Sequence, residues 1–212
     1  LDLVVIGEGG HSKVIKDLIH SKSDVKIIAV LDDKYDELTV INEIYIGPTS
    51  SAHLLLSQRN HLKFVIAIGN NEVRKSIVTK LGLAKENYVS LIHHTAIVSS
   101  SASIGIGTVI MANTIVSADT CVGDHVIINS GAIVEHDNHI GDYAHIAPKA
   151  TLTGSVTVKE GTMIGAGATV IPGKSIGEWA IIGAGATVIS DIPTNSTAVG
   201  TPAKIISSRK FA

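Results

Sequence analysis

From Val98 onward, every sixth residue is aliphatic. The series begins Val98, Ile104, Ile110, Val116, Val122, Ile128, Val134 and Ile140. It continues through Ile146, Leu152, Val158, Ile164, Val170, Ile176 and Ile182 to Val188, and Thr194 breaks it. Two residues before each aliphatic the chain is usually small, as at Ala96, Ala102, Thr108, Ala132, Ala150 and Ala186. One residue after it glycine recurs, as at Gly105, Gly123, Gly141 and Gly177. Residues i and i−2 of a strand point to one side. Each hexapeptide therefore predicts a short strand that turns one large and one small residue inward. The glycine is expected to let the chain turn where a β-carbon would strain it. Three hexapeptides close one triangular coil of 18 residues, and stacked coils bury a continuous aliphatic column. Strict phase over this length separates the segment from a valine-rich sandwich.

Residues 1–93 do not share the period. Residues 3–6 predict a buried strand that runs into Gly7-Glu8-Gly9-Gly10-His11-Ser12 and then a helix over 13–20. Residues 26–31 predict a second strand ending at Asp32-Asp33. Residues 64–68 predict a third, followed by Gly69-Asn70-Asn71 and a helix over 72–81. Strands alternating with helices imply a parallel sheet covered by helices. Two domains are expected: a Rossmann-like domain at 1–93 and a β-helix with a C-terminal tail at 94–212.

Composition narrows the field. The chain of 212 residues is 45% hydrophobic but only 3% aromatic, so its core must be built from Val, Ile, Leu and Ala. Net charge is −2 with no block of like charges, which speaks against a nucleic-acid partner. A single cysteine, Cys121, permits no intrachain disulfide and fits a reducing compartment. The apolar run 1–7 is too short for a signal-peptide core, and nothing reaches the length of a membrane span. The expectation is a cytoplasmic protein without membrane insertion.

The first turn is similar to a dinucleotide fingerprint, with Ser12 where its last glycine would stand. Asp32, at the end of the second strand, is suitably placed for a ribose contact. A fragment this short favours a nucleotide sugar over NAD. In the β-helix, His136 lies two residues after the inward Val134, in a turn. An imidazole with a pKa near ~6.5 can accept a proton at neutral pH. Gly154 stands one coil beyond His136, so its N–H is available to an oxyanion. Asn138 occupies a normally small inward position. Cys121 belongs to no nucleophile motif.

These motifs occur in one order: Gly7 to Ser12, Leu31-Asp32-Asp33, Ala67-Ile68-Gly69-Asn70-Asn71-Glu72, Glu135-His136-Asp137 and Val199-Gly200-Thr201-Pro202-Ala203-Lys204. Together they resemble the PglD/NeuD type of hexapeptide-repeat acetyltransferase, nearly end to end. The resemblance implies a left-handed helix, a homotrimer, and acetyl-CoA as co-substrate in the groove between neighbouring helices. It implies acetylation of the 4-amino group of a UDP-linked amino-dideoxy sugar, on the route to N,N′-diacetylbacillosamine. His136 corresponds to the family's general base. The next residue is commonly Glu there and is Asp137 here, so Asp137 or Glu135 orients the ring. His145, Gly154, Ala166 and Ala184 fall at coenzyme positions, and the segment from Gly200 to Lys204 lies near the nucleotide end of CoA. Gly9, Gly10, His11, Asp32, Asp33, Gly69 and Asn70 fall at the sugar-nucleotide site.

Three other readings compete: O-acetylation of a sialic acid, a non-catalytic nucleotide-sugar binder, and a metalloenzyme on the same helix. The last needs histidines stacked one or two coils apart. His125, His136, His139 and His145 include no such pair, so no metal is expected.

Overall fold

The computed structural model describes residues 1–59 and 61–208. The chain divides into two compact units after Leu91. The division falls slightly ahead of the expected boundary because Leu91–Ile92 already forms a strand of the second unit's sheet.

The first unit runs β1 (Asp2–Ile6), α1 (Gly10–His20), β2 (Lys26–Leu31), β3 (Thr39–Ile41), β4 (Ile44–Gly47), α2 (Ala52–Gln58), β5 (Lys63–Ile66) and α3 (Asn71–Leu81). The sheet order is β3-β4-β2-β1-β5. All pairs are parallel except β3 with β4. Leu3, Val4, Val5 and Ile6 of central β1 are all 0% exposed, as a strand covered on both faces requires. The β3–β4 hairpin was not expected from the sequence. Its two linking residues, Asn42 and Glu43, both have positive φ (50° and 66°), the tight-turn geometry that matches strand twist.

The second unit is a left-handed parallel β-helix. Successive two-residue strands visit three parallel sheets in turn. Ile115 pairs with Ile133, Ile133 with Thr151, and Thr151 with Thr169, an offset of one coil each time. The aliphatic column is buried without a break from Ile110 to Val188, while Val98 and Ile104 at its open end are partly buried. Each such side chain contributes about 1.5–3 kcal/mol of burial, so the column is the main stabilising feature of the helix. Ser196–Val199 continues one sheet, and Lys204–Ser208 pairs antiparallel against it.

The turn chemistry differs from expectation. The left-handed residues are not the glycines after each aliphatic. They recur three residues before it, at Gly107, Asn113, Asp119, His125, Gly131 and Asp137, and so on around the coils. The glycine after the aliphatic is required for space. A β-carbon on Gly141 would come 2.6 Å from the Glu160 amide nitrogen of the next coil. Among the described residues, no helix is long and apolar enough to cross a membrane.

Candidate active site

In the first unit a cavity of about 370 Å³ opens where Gly7, Glu8, Gly9, Gly10 and His11 meet Asp32, Asp33, Thr49 and Gly69. It lies at the carboxyl ends of β1, β2 and β5. The chain leaves β1 toward β2 on one side and β5 lies on the other, so this is the switch point at which open α/β sheets bind ligands. Gly9 precedes α1 without capping it through a side chain, so the helix presents backbone amides there, a natural seat for phosphate.

Both aspartates are engaged. Asp32 Oδ2 accepts the Glu8 N–H at 2.6 Å and Oδ1 accepts that of Lys34 at 3.0 Å, pinning the glycine turn to the end of β2. Asp33 Oδ1 accepts the Thr49 N–H at 3.0 Å and hydroxyl at 2.6 Å, and its Oδ2 pairs with Lys80 at 2.7 Å. The Lys80 and Thr49 side-chain hydrogen bonds hold the Asp33 carboxyl below its usual range. Burial alone would raise the Glu8 carboxyl, but hydrogen bonds from Tyr35, Lys16 and Lys34 outweigh it and hold it at about 2. Burial, and then the nearby Arg74 charge, push His11 down to about 4, so a neutral imidazole lines the cavity at pH 7.

Asn70 does not line the cavity. It caps α3, its side chain accepting the Val73 N–H at 2.9 Å. Arg74, 1% exposed, donates to the carbonyls of Ile68 at 2.9 Å and Gly69 at 3.2 Å and so fixes that turn. Glu8, Thr49 and Arg74 were not singled out in the sequence. Glu8 sat inside the quoted motif, but Thr49 and Arg74 are brought in by tertiary contacts alone.

In the second unit, His136 stands at the corner between strands Ile133–Val134 and His139–Ile140. Its side chain is 60% exposed, and Nδ1 lies 2.7 Å from Asp137 Oδ2. The Asp137 hydrogen bond, reinforced by the charges of Asp137 and Glu135, raises the imidazole above its ordinary value. Glu135 points elsewhere and accepts the Ser117 hydroxyl one coil back at 3.2 Å. Gly154 lies against the ring: a β-carbon there would come 2.6 Å from His136 Cε1 and 2.7 Å from Nε2.

His145, expected to face outward, has the outward register but is only 8% exposed. It sits between Ile127 and Met163 of neighbouring strands, with Nε2 3.1 Å from Asn129 Nδ2. Ala166 and Ala184 stack one coil apart on an exposed corner, the Gly185 N–H donating to the Ala166 carbonyl at 2.8 Å. His145–Ile146 belongs to the third sheet, opposite the corner that carries His136. Among the described residues, no group of three or more His, Cys, Asp or Glu side chains could hold a metal ion.

A nucleotide-type α/β cavity joined to a hexapeptide coil with a histidine–carboxylate corner defines an acyltransferase of the β-helix class. Comparisons make this more specific. Residues 2–81 match the model of the PglD N-terminal domain. The UDP-N-acetylbacillosamine N-acetyltransferase of Bacillus subtilis (strain 168) is 51% identical over 111 residues, 52% of this chain and 51% of that protein. The solved structure of PerB from Caulobacter crescentus, in complex with CoA and GDP-perosamine, is 36% identical over 98% of both chains, with a TM-score of 0.87. The acetyltransferase domain of PglB from Neisseria gonorrhoeae, in complex with acetyl coenzyme A, is 36% identical over 97% of this chain and 98% of that one, with a TM-score of 0.81. The chain belongs to the PglD type of hexapeptide-repeat acetyltransferase.

Proposed function

We propose that this protein is a nucleotide-sugar N-acetyltransferase that moves acetyl from acetyl-CoA to the 4-amino group of a UDP-linked amino-dideoxy sugar. The observation that carries the chemistry is the exposed His136–Asp137 pair with Gly154 against its ring. Asp137 accepts a hydrogen bond from Nδ1–H, which keeps that proton on the ring and leaves Nε2 as the basic nitrogen. The sugar amine attacks the thioester carbonyl, and Nε2 takes the proton the nitrogen must lose. The Gly154 N–H steadies the oxyanion of the tetrahedral intermediate. Collapse breaks the C–S bond, and the imidazolium returns the proton to the departing CoA sulfur. The amide and free CoA result, with no covalent enzyme intermediate.

The first-unit cavity is read as the nucleotide end, with Gly9, Gly10 and Gly69 offering close backbone approach. His145, Ala166 and Ala184 are read as the coenzyme surface. One chain carries His136 and His145 on opposite sides of a triangular prism, so a site using both draws on two copies. The outward faces differ in a way that supports this. Ile97, Ile115 and Ile133 form an apolar column on one sheet, and Ile97 is 67% exposed. Ser103, Cys121 and His139 form a polar column on another. A homotrimer with the isoleucine column against a neighbour satisfies both observations.

The nucleobase has a second reading. The Bacillus relative named for a UDP sugar is the more identical, but over half its length. The Caulobacter relative solved with GDP-perosamine matches end to end. The test is thiol release from acetyl-CoA with UDP-, dTDP- and GDP-linked 4-amino sugars, with sialic acid as control. Release with the UDP sugar alone is expected. Preference for the GDP sugar moves the nucleobase assignment, and release with sialic acid alone overturns N-acetylation.

A further inference from the structure

Asn138 departs from the pattern of its own column. Apart from the partly buried Lys174, equivalent inward positions between Ala96 and Ala186 hold alanine, threonine or valine, and Val126 and Val156 sit there fully buried. Asn138 is also 0% exposed, and its amide works on both sides of the histidine corner. Nδ2 donates to the Glu135 carbonyl at 2.6 Å, with a longer approach to the His136 carbonyl at 3.3 Å, and to the Thr153 carbonyl of the next coil at 2.9 Å. The threonines of this column have a single hydroxyl to offer. Thr108 donates to the Gly123 carbonyl at 2.8 Å and Thr162 to the Gly177 carbonyl at 2.6 Å, the counterpart of the Thr153 contact, while Thr114 is shared between the Met111 carbonyl at 2.8 Å and the Asn129 carbonyl at 3.3 Å, the counterparts of both. A hydroxyl has one proton to give, whereas an amide has two.

The Thr153 carbonyl belongs to the same peptide as the Gly154 N–H. In a trans peptide these groups point in opposite directions. A carbonyl held inward by a buried side chain turns the N–H outward, at the residue that lies against the His136 ring. One side chain thus ties down the turn carrying His136 and the peptide carrying the oxyanion donor. We infer that Asn138 is a positioning residue that sets the register between His136 and the Gly154 N–H through its two-sided amide. This rests on the proposed reading of His136 as the base. Asn138 Oδ1 is buried without a partner. The side chain therefore carries an unmet acceptor, a cost in stability that packing alone gives no reason to bear.

The test is kinetic, on the full chain. Asn138→Val copies a residue this column already accepts at Val126 and Val156, so it is expected to fold and to melt near the wild type. Its kcat is expected to fall about 10- to 100-fold, the scale of a misaligned reacting geometry. The KM for acetyl-CoA should stay unchanged, and the acid limb of the pH profile should remain. Asn138→Thr, which keeps a donor for the Thr153 carbonyl, is expected to recover part of kcat. Wild-type kcat in Asn138→Val beside an inactive His136→Ala overturns the positioning role and leaves the base assignment standing. Equal loss in the valine and threonine variants with a matching fall in melting temperature also overturns it, as a folding effect. Normal turnover by His136→Ala removes the base assignment and this inference with it.

Discussion

His136 and Asp137 are neighbours in sequence, and side chains of adjacent residues ordinarily diverge. The contact depends on the backbone. Asp137 has φ of 58°, in the left-handed region that aspartate tolerates better than most residues. In that conformation its carboxylate meets the ring of the preceding residue at 2.7 Å. The sequence leaves Asp137 and Glu135 as alternatives because the related enzymes commonly carry Glu after the histidine and the phase of the left-handed corners is not legible from the repeat alone. Once that phase is known, residue 137 falls on it and residue 135 does not. With Asp137 raising the His136 pKa, the acid limb of kcat/KM should lie above the ordinary imidazole value of ~6.5. The rate rises with pH because a general base works only when deprotonated. Asp137→Asn removes the hydrogen bond that contributes most to the shift, so the limb should move to lower pH while the plateau drops through loss of the tautomer. His136→Ala should remove the limb and lower kcat by about 10²–10⁴. A pH–rate series on the three proteins checks this, and an unmoved limb in Asp137→Asn assigns the orienting role to Glu135.

At the scale of elements, the repeat was legible because a column of aliphatics can be buried only if its phase is kept. The three main strands of the first unit were legible as apolar runs. The β3–β4 hairpin and α2 were not, since Val40 and Ile41 are 59% and 51% exposed and the hairpin has no sharp inward face. Glycine was misread in a way that has a measurable consequence. Gly173 has φ of +68° and open space around its β-carbon position, whereas Gly141 has ordinary torsions and the backbone of the next coil in its way. Gly173→Ala should cost about 1 kcal/mol, the ordinary penalty for a left-handed residue with a side chain. Gly141→Ala must push coils apart and should cost about 2–3 kcal/mol, the upper part of the range for overpacking. Denaturant melts of both variants decide it, and equal costs would restore torsional strain as the reason for both glycines.

At the scale of the whole molecule, the question is which face of the prism meets another copy. On the third sheet the outward Val109 and Ile127 are each 1% exposed, so the apolar residues at that end gain nothing from a neighbour, while His145, Met163 and Ile181 continue the column. The polar column of Ser103, Cys121 and His139 gains little from leaving water. The sheet bearing Ile97, Ile115 and Ile133 is left, and it borders the corner that carries His136. Closed symmetry then brings that corner toward a neighbour at every seam, which is what a site sharing His136 and His145 requires. Sedimentation should give a trimer. Ile133→Glu puts a charge into that seam, where desolvation without a partner is costly, and should yield folded monomer. Activity should be lost, because His136 would no longer face a second chain. Binding of the sugar nucleotide to the first-unit cavity should persist, since every residue lining it comes from residues 7–77 of one chain. An Ile133→Glu monomer that still releases CoA at the wild-type rate would show that one chain completes the site, and the shared-site reading would fall.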